Sequence, residues 1–88
     1  MTAHDSLTQI KHRLQEVFHP THLVVIDESH QHIGHVGAKE GGGHFAIEIV
    51  SDKFRDKSVL EQHRLIYQAL GALMQTEIHA LRIKAKAP

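Results

Sequence analysis

Three short strand-forming runs limit this chain more than any other feature, because the first two are joined by a loop and the third lies beyond a helical segment. HLVVIDE (residues 22–28) is rich in β-branched side chains and reads as a strand. HFAIEIVS (residues 44–51) alternates, with Phe45, Ile47 and Ile49 on one face and Ala46, Glu48 and Val50 on the other. HALRIKAK (residues 79–86) alternates as cleanly, with His79, Leu81, Ile83 and Ala85 opposed to Ala80, Arg82, Lys84 and Lys86. Residues 29–43 are rich in His and Gly and hold almost no core-forming side chains. The first two runs therefore predict an antiparallel hairpin with a long loop, and loops of that length in small domains are often functional. The third run, reached through a helix, is predicted to lie parallel to the second by a right-handed crossover. So small a sheet cannot enclose two faces, so both helices should cover one and leave the other more polar and open. The expected fold is α+β, a single domain over residues 1–88 with a three-stranded mixed sheet and its helices on one face.

The helices are marked as clearly. Leu7, Ile10, Leu14, Val17 and Phe18 recur at helical spacing, and Pro20 stops the run, which predicts a helix over residues 6–18. Ser6 with Gln9 reads as its capping box. DKFRDK (residues 52–57) is a charged turn around one candidate core residue, Phe54, with room for a short helical turn. Ser58 with Glu61 is a second capping box, opening a helix over residues 59–74. Its apolar stripe is expected along Leu60, Arg64, Tyr67, Leu70 and Met74, flanked by Ile66 and Leu73. No internal repeat is visible.

Composition narrows the function. Lys plus Arg and Asp plus Glu are both 10, so the formal net charge is zero. That argues against a strongly basic coat for nucleic acid and leaves a local basic patch open. The 41% hydrophobic content argues against a disordered chain. No apolar run approaches a membrane span, and residues 1–6 lack the apolar core of a signal peptide. A cytoplasmic location with no membrane contact is the expectation. There is no cysteine, so no disulfide, thiolate ligand or thiol nucleophile exists in this chain. Histidine, by contrast, numbers 10 in 88 residues.

The densest chemical feature is HQHIGH, which holds His30, His32 and His35, with His44 closing the loop. Neutral imidazole is the commonest protein metal ligand, and two or three in one loop can converge on an ion. The same residues can equally be the surface of a polar loop, and no cysteine completes a zinc finger. His79 opens a strand beside apolar residues. It is either a core-edge histidine satisfied by the backbone or a half-exposed imidazole held rigidly near the hairpin loop. His63 and Arg64 fall beside or within the second helix's stripe, where a partly buried pair would orient the helix. Lys53, Arg55 and Lys57 form one basic cluster and Arg82, Lys84 and Lys86 another; each is a solvated face or a phosphate-binding surface. GAKEGGG lacks the P-loop pattern, and a Ser, Asp and His set arises by chance in a chain this rich in His. An enzyme is not expected, since a single layered module of this size leaves little room for a deep pocket.

Taken together, DESHQH, HFAIEIVSDKF, SVLEQHRLIYQAL and IHALRIKAKAP resemble the BolA family, in the family's order and over nearly the whole chain. The resemblance implies an αββααβ order similar to a class II KH domain. It implies a monothiol glutaredoxin as partner, and a 2Fe–2S cluster shared with that partner and its glutathione, none being bound by this chain alone. The family's ligands are the histidine of the HAL motif, here His79, and a His or Cys in the loop between the first two strands. For the latter His32 is the best match, with His30 and His35 beside it. The alternative implied by the resemblance is a DNA-binding regulator of stress or morphology genes. It would use the helix-two HR segment, His63 and Arg64, with Lys53, Arg55 and Lys57 nearby. Weak self-association of the chain is a further open point.

Overall fold

A computed structural model describes residues 5–28 and 43–88. The elements run α1 (Asp5–Phe18), β1 (His22–Asp27), β2 (Gly43–Val50), a 3-10 turn (Asp52–Phe54), α2 (Val59–Leu70), α3 (Leu73–Thr76) and β3 (Ile78–Lys86). The sheet order is β1-β2-β3, with β1 antiparallel and β3 parallel to β2. This is the expected α+β fold with a three-stranded mixed sheet.

The core forms where the helical and strand periodicities meet. Ile10, Leu14 and Phe18 of α1 are buried, as are Ile66, Ala69 and Leu70 of α2. They pack with Val25, Phe45, Ile47 and Ile49, which point to the same side of the sheet. Each of the Val, Leu, Ile and Phe side chains among them, fully buried, is worth about 1.5–3 kcal/mol relative to exposure. On the other side His22, Val24, Ile26, His44, Ala46, Glu48 and Val50 all retain accessible surface. The helices thus cover one face.

Helix α1 departs from expectation at its start. Ser6 lies inside the helix, buried, and its hydroxyl donates to the Glu77 carboxylate after α3. It ties the start of α1 to the residue before β3 instead of forming a box with Gln9. Val17 is 39% exposed, because the stripe that packs is the four-residue ladder through Ile10, Leu14 and Phe18. The helix ends at His19, whose positive φ of 45° and N–H bond to the Gln15 carbonyl (3.0 Å) close the last turn before Pro20.

The 3-10 turn anchors the centre of the fold. Phe54 is buried and its ring lies 4.9 Å from that of Phe18. Ser51, also buried, donates its hydroxyl to the Phe18 carbonyl at 2.7 Å and accepts from the Lys53 N–H at 3.2 Å. Ser58 then caps α2: its hydroxyl accepts from the Glu61 N–H (3.1 Å), and the Glu61 carboxylate accepts from the Ser58 N–H (2.9 Å).

The expected stripe of α2 is rotated. Leu60 is 60% and Tyr67 43% exposed, while Gln62, Ile66, Ala69 and Leu70 are buried. The cause is Gln62, whose amide donates to the carbonyls of Lys57 (3.1 Å) and Phe54 (3.5 Å). The Phe54 carbonyl also accepts from the Lys57 N–H (3.1 Å), and the two amide bonds tie Gln62 to the turn and hold the helix in this rotation. The helix also ends earlier than expected. Gly71 has φ 53° and its N–H bonds to the Tyr67 carbonyl (3.0 Å), so α3 is a separate short turn.

Candidate functional site

The site begins at an irregularity in the parallel ladder. Gly43 faces Ile78 and His44 faces Ala80, so one residue of β3, His79, has no opposite number. Such bulges are rare in parallel pairs and re-aim a side chain. Ile78 is buried, and Leu81, three positions on, also packs against the core. Strict alternation cannot put both on one side, and His79 absorbs the change of phase. The expected shared face of His79 with Leu81 and Ile83 is therefore corrected: His79 is exposed. Its ring lies against that of His44, with centroids 5.2 Å apart and planes inclined at 41°.

The backbone beneath the pair is well bonded. The Glu28 N–H donates to the His44 carbonyl (2.7 Å) and the Gly43 N–H to the Glu77 carbonyl (2.8 Å). Next along the open face, Arg82 of β3 reaches across β2, where it lies opposite the small Ala46, to Glu28. The guanidinium donates from Nε to Oε1 (3.2 Å) and from Nη2 to Oε2 (2.5 Å). Hydrogen bonding to Glu28, then its Coulombic attraction, raises the Arg82 pKa further above its ordinary value. Arg82 therefore belongs to an ion pair and is withdrawn from the expected basic strand face.

His30, His32 and His35 lie outside the described residues. Among the described residues no group of three or more metal-ligating side chains comes together. What the fold does bring together is His79 with His44. That juxtaposition was not visible in the pattern, because it depends on which rung of β2 meets which rung of β3.

The basic residues expected to meet nucleic acid scatter around the 3-10 turn and the start of α2. Lys53, Lys57 and Arg64 are exposed, and His63 is half-buried. Arg55 is tied to Asp52 at 2.8 Å. Lys57 and Arg64 line a shallow depression together with Asp56, Glu61 and Leu65. Two carboxylates thus sit among the two cations. No described helix is long and apolar enough to cross a membrane.

The described residues thus form a small α+β module with an exposed histidine at a register break of its sheet. The family model described as BolA-like protein matches residues 14–88, and the chain belongs to that family. It is 40% identical over 85 residues to SufE-like protein 1 of Arabidopsis thaliana, covering 91% of this chain and 23% of that protein. It is 37% identical over 84 residues to the chloroplastic protein BOLA1 of the same plant, covering 92% of this chain and 52% of the relative. The chain thus spans about half or less of these two relatives. With the DNA-binding transcriptional regulator BolA of Escherichia coli the identity is 36% over 75 residues, covering 85% of this chain and 69% of that one. The solved BolA domain of SufE1 from Arabidopsis thaliana superposes with a TM-score of 0.80 at 43% identity, covering 93% of this chain and 91% of that one.

Proposed function

We propose that this chain is a non-enzymatic partner of a monothiol glutaredoxin and that it contributes imidazole ligands to a 2Fe–2S cluster held between the two proteins. The observation that carries this reading is His79, the HAL-motif histidine, exposed at a position the sheet leaves unopposed. The donor chemistry fits. This chain has no cysteine, so it supplies nitrogen ligands only, and the partner with glutathione supplies the thiolates. His32 is the second ligand in the family's pattern. Imidazole in place of thiolate raises a cluster's reduction potential and gives it a protonatable ligand, which suits transfer or sensing. The role of the chain's own residues is to hold His79 outward, through buried Ile78 on one side and core-packed Leu81 on the other.

The test mixes the chain with a cluster-loaded monothiol glutaredoxin and records visible absorption and circular dichroism. The wild-type chain should change the spectrum, His79→Ala should abolish the change, and His32→Ala should report on the loop position. A wild-type chain that leaves the spectrum untouched would sink the reading.

A second reading, DNA-binding regulation, draws on the name of the Escherichia coli relative and on exposed Lys57 and Arg64. The interleaved Asp56 and Glu61 and the zero net charge weaken the phosphate attraction this would need. It would be supported by salt-dependent gel shifts that survive His79→Ala and fail after Arg64→Ala.

A further inference from the structure

We propose that β1 is a homodimerisation edge, along which two copies of this chain pair antiparallel and join their three-stranded sheets into one of six strands. β1 and β3 are the two edges of the sheet. A sheet edge offers unpaired backbone groups, and natural edges are commonly defended by lysine, proline or an inward charge. β3 follows that rule, with Arg82, Lys84 and Lys86 at alternate positions. β1 does not, because Leu23, Val24, Val25 and Ile26 run without a charge or a proline among them. Its backbone phase follows from one bond. The Glu28 N–H donates to the His44 carbonyl at 2.7 Å, one rung beyond the Asp27 and Phe45 pair, and bonded pairs alternate along an antiparallel ladder. Val24 and Ile26 therefore direct their backbone groups to β2. Leu23 and Val25 turn theirs outward, where no other described residue bonds them.

Two outward-facing residues two positions apart are complementary to a second copy of themselves. With a two-fold axis at Val24, Leu23 of each copy faces Val25 of the other, and each of these rungs exchanges a pair of backbone hydrogen bonds. Val24 then lies opposite Val24 of the second copy as the non-bonded pair between them, with Cα atoms about 4.5 Å apart and side chains meeting on the open face. The same register sets His22 and Asp27 opposite Ile26 and Thr21 of the second copy, so no like charges face each other. Ile26, 48% exposed, gains cover. Val24, Ile26 and Ala46 line a shallow trough on the open face, which the pairing continues from one copy into the other. The zero net charge leaves no overall repulsion between copies. β1 is six residues long, so the contact is smaller than the roughly 1,200–2,000 Å² of stable complexes and forms only at high chain concentration.

The pairing is independent of the shared-cluster reading, because His79 lies on β3 at the far edge of the sheet. Either can fail while the other stands. Sedimentation of the full wild-type chain should show a mass that rises with concentration toward twice that of one copy. Val24→Lys, which sets two ammonium groups face to face, should stay monomeric while its far-ultraviolet circular dichroism is unchanged. The chain has no cysteine, so an introduced one is its sole thiol. The Cα separation at Val24 falls within the roughly 4.4–6.8 Å that a disulfide spans, so Val24→Cys should oxidise to a linked dimer several times faster than Lys84→Cys on the defended edge. A mixture of 13C-labelled and unlabelled wild-type chain, which needs no variant to fold, should show a nuclear Overhauser contact between the Val24 α-protons of the two copies. A wild-type chain that stays monomeric at millimolar concentration, association undiminished in Val24→Lys, equal oxidation of the two cysteine variants, or an associated sample without the Val24 contact would each overturn the proposal.

Discussion

Gln62 is the residue on which the geometry of the second helix turns. A pattern reader counts it as polar and places it outside, yet it is buried with its amide bonded to two turn carbonyls. Leu60 is the converse, an apolar residue in the first turn of α2 with 60% of its surface exposed. The difference is measurable. Gln62→Ala should destabilise by about 1–3 kcal/mol, the loss of two hydrogen bonds worth about 0.5–1.5 kcal/mol each, whereas Leu60→Ala should stay within roughly 0.5 kcal/mol. Urea unfolding midpoints of the two variants decide the matter. Equal losses would mean that Leu60 belongs to the core after all. At the same scale, Phe54 was legible as the lone apolar residue of a charged turn. It is buried against Phe18, so Phe54→Ala should cost about 3–5 kcal/mol.

At the scale of elements, what could be read from the sequence was whatever local periodicity determines. The alternation of β2 and the four-residue ladder of α1 both survive in the structure, because each element has one face to bury and a period that says which. The capping box of Ser58 and Glu61 survives too, since it depends only on residues three apart. Ser58→Ala should therefore cost about 0.5–2 kcal/mol, and Ser58→Asp, which keeps a capping oxygen, should retain most of the wild-type thermal stability. The Ser6 box failed because a distant carboxylate, Glu77, took its hydroxyl. The long second helix failed at Gly71, whose positive φ is a tertiary requirement that a glycine in a helical pattern does not announce.

At the scale of the whole molecule, the layered fold follows from the order of the elements, but the site follows from their register. Nothing local in HFAIEIVS or HALRIKAK says that β3 carries one extra residue opposite the start of β2. Yet that single residue decides that His79 leaves the core, meets His44 and faces outward. The open sheet face then combines an imidazole pair at one end with the Glu28–Arg82 ion pair beside it. The basic residues near α2 lie elsewhere, and Lys57 and Arg64 are interspersed with acids, which weakens their pull on a phosphate.

The most direct test of the central claim is the nitrogen coordination of the shared cluster. The chain would be prepared with 15N-labelled histidine, combined with a cluster-loaded monothiol glutaredoxin, reduced to the paramagnetic state and studied by pulsed electron paramagnetic resonance. The expected result is directly coordinated 15N coupling that loses the His79 contribution in His79→Ala, with the partner unlabelled throughout. A reduced cluster that forms in the mixture with no 15N coupling, or one unchanged by His79→Ala, would contradict the account.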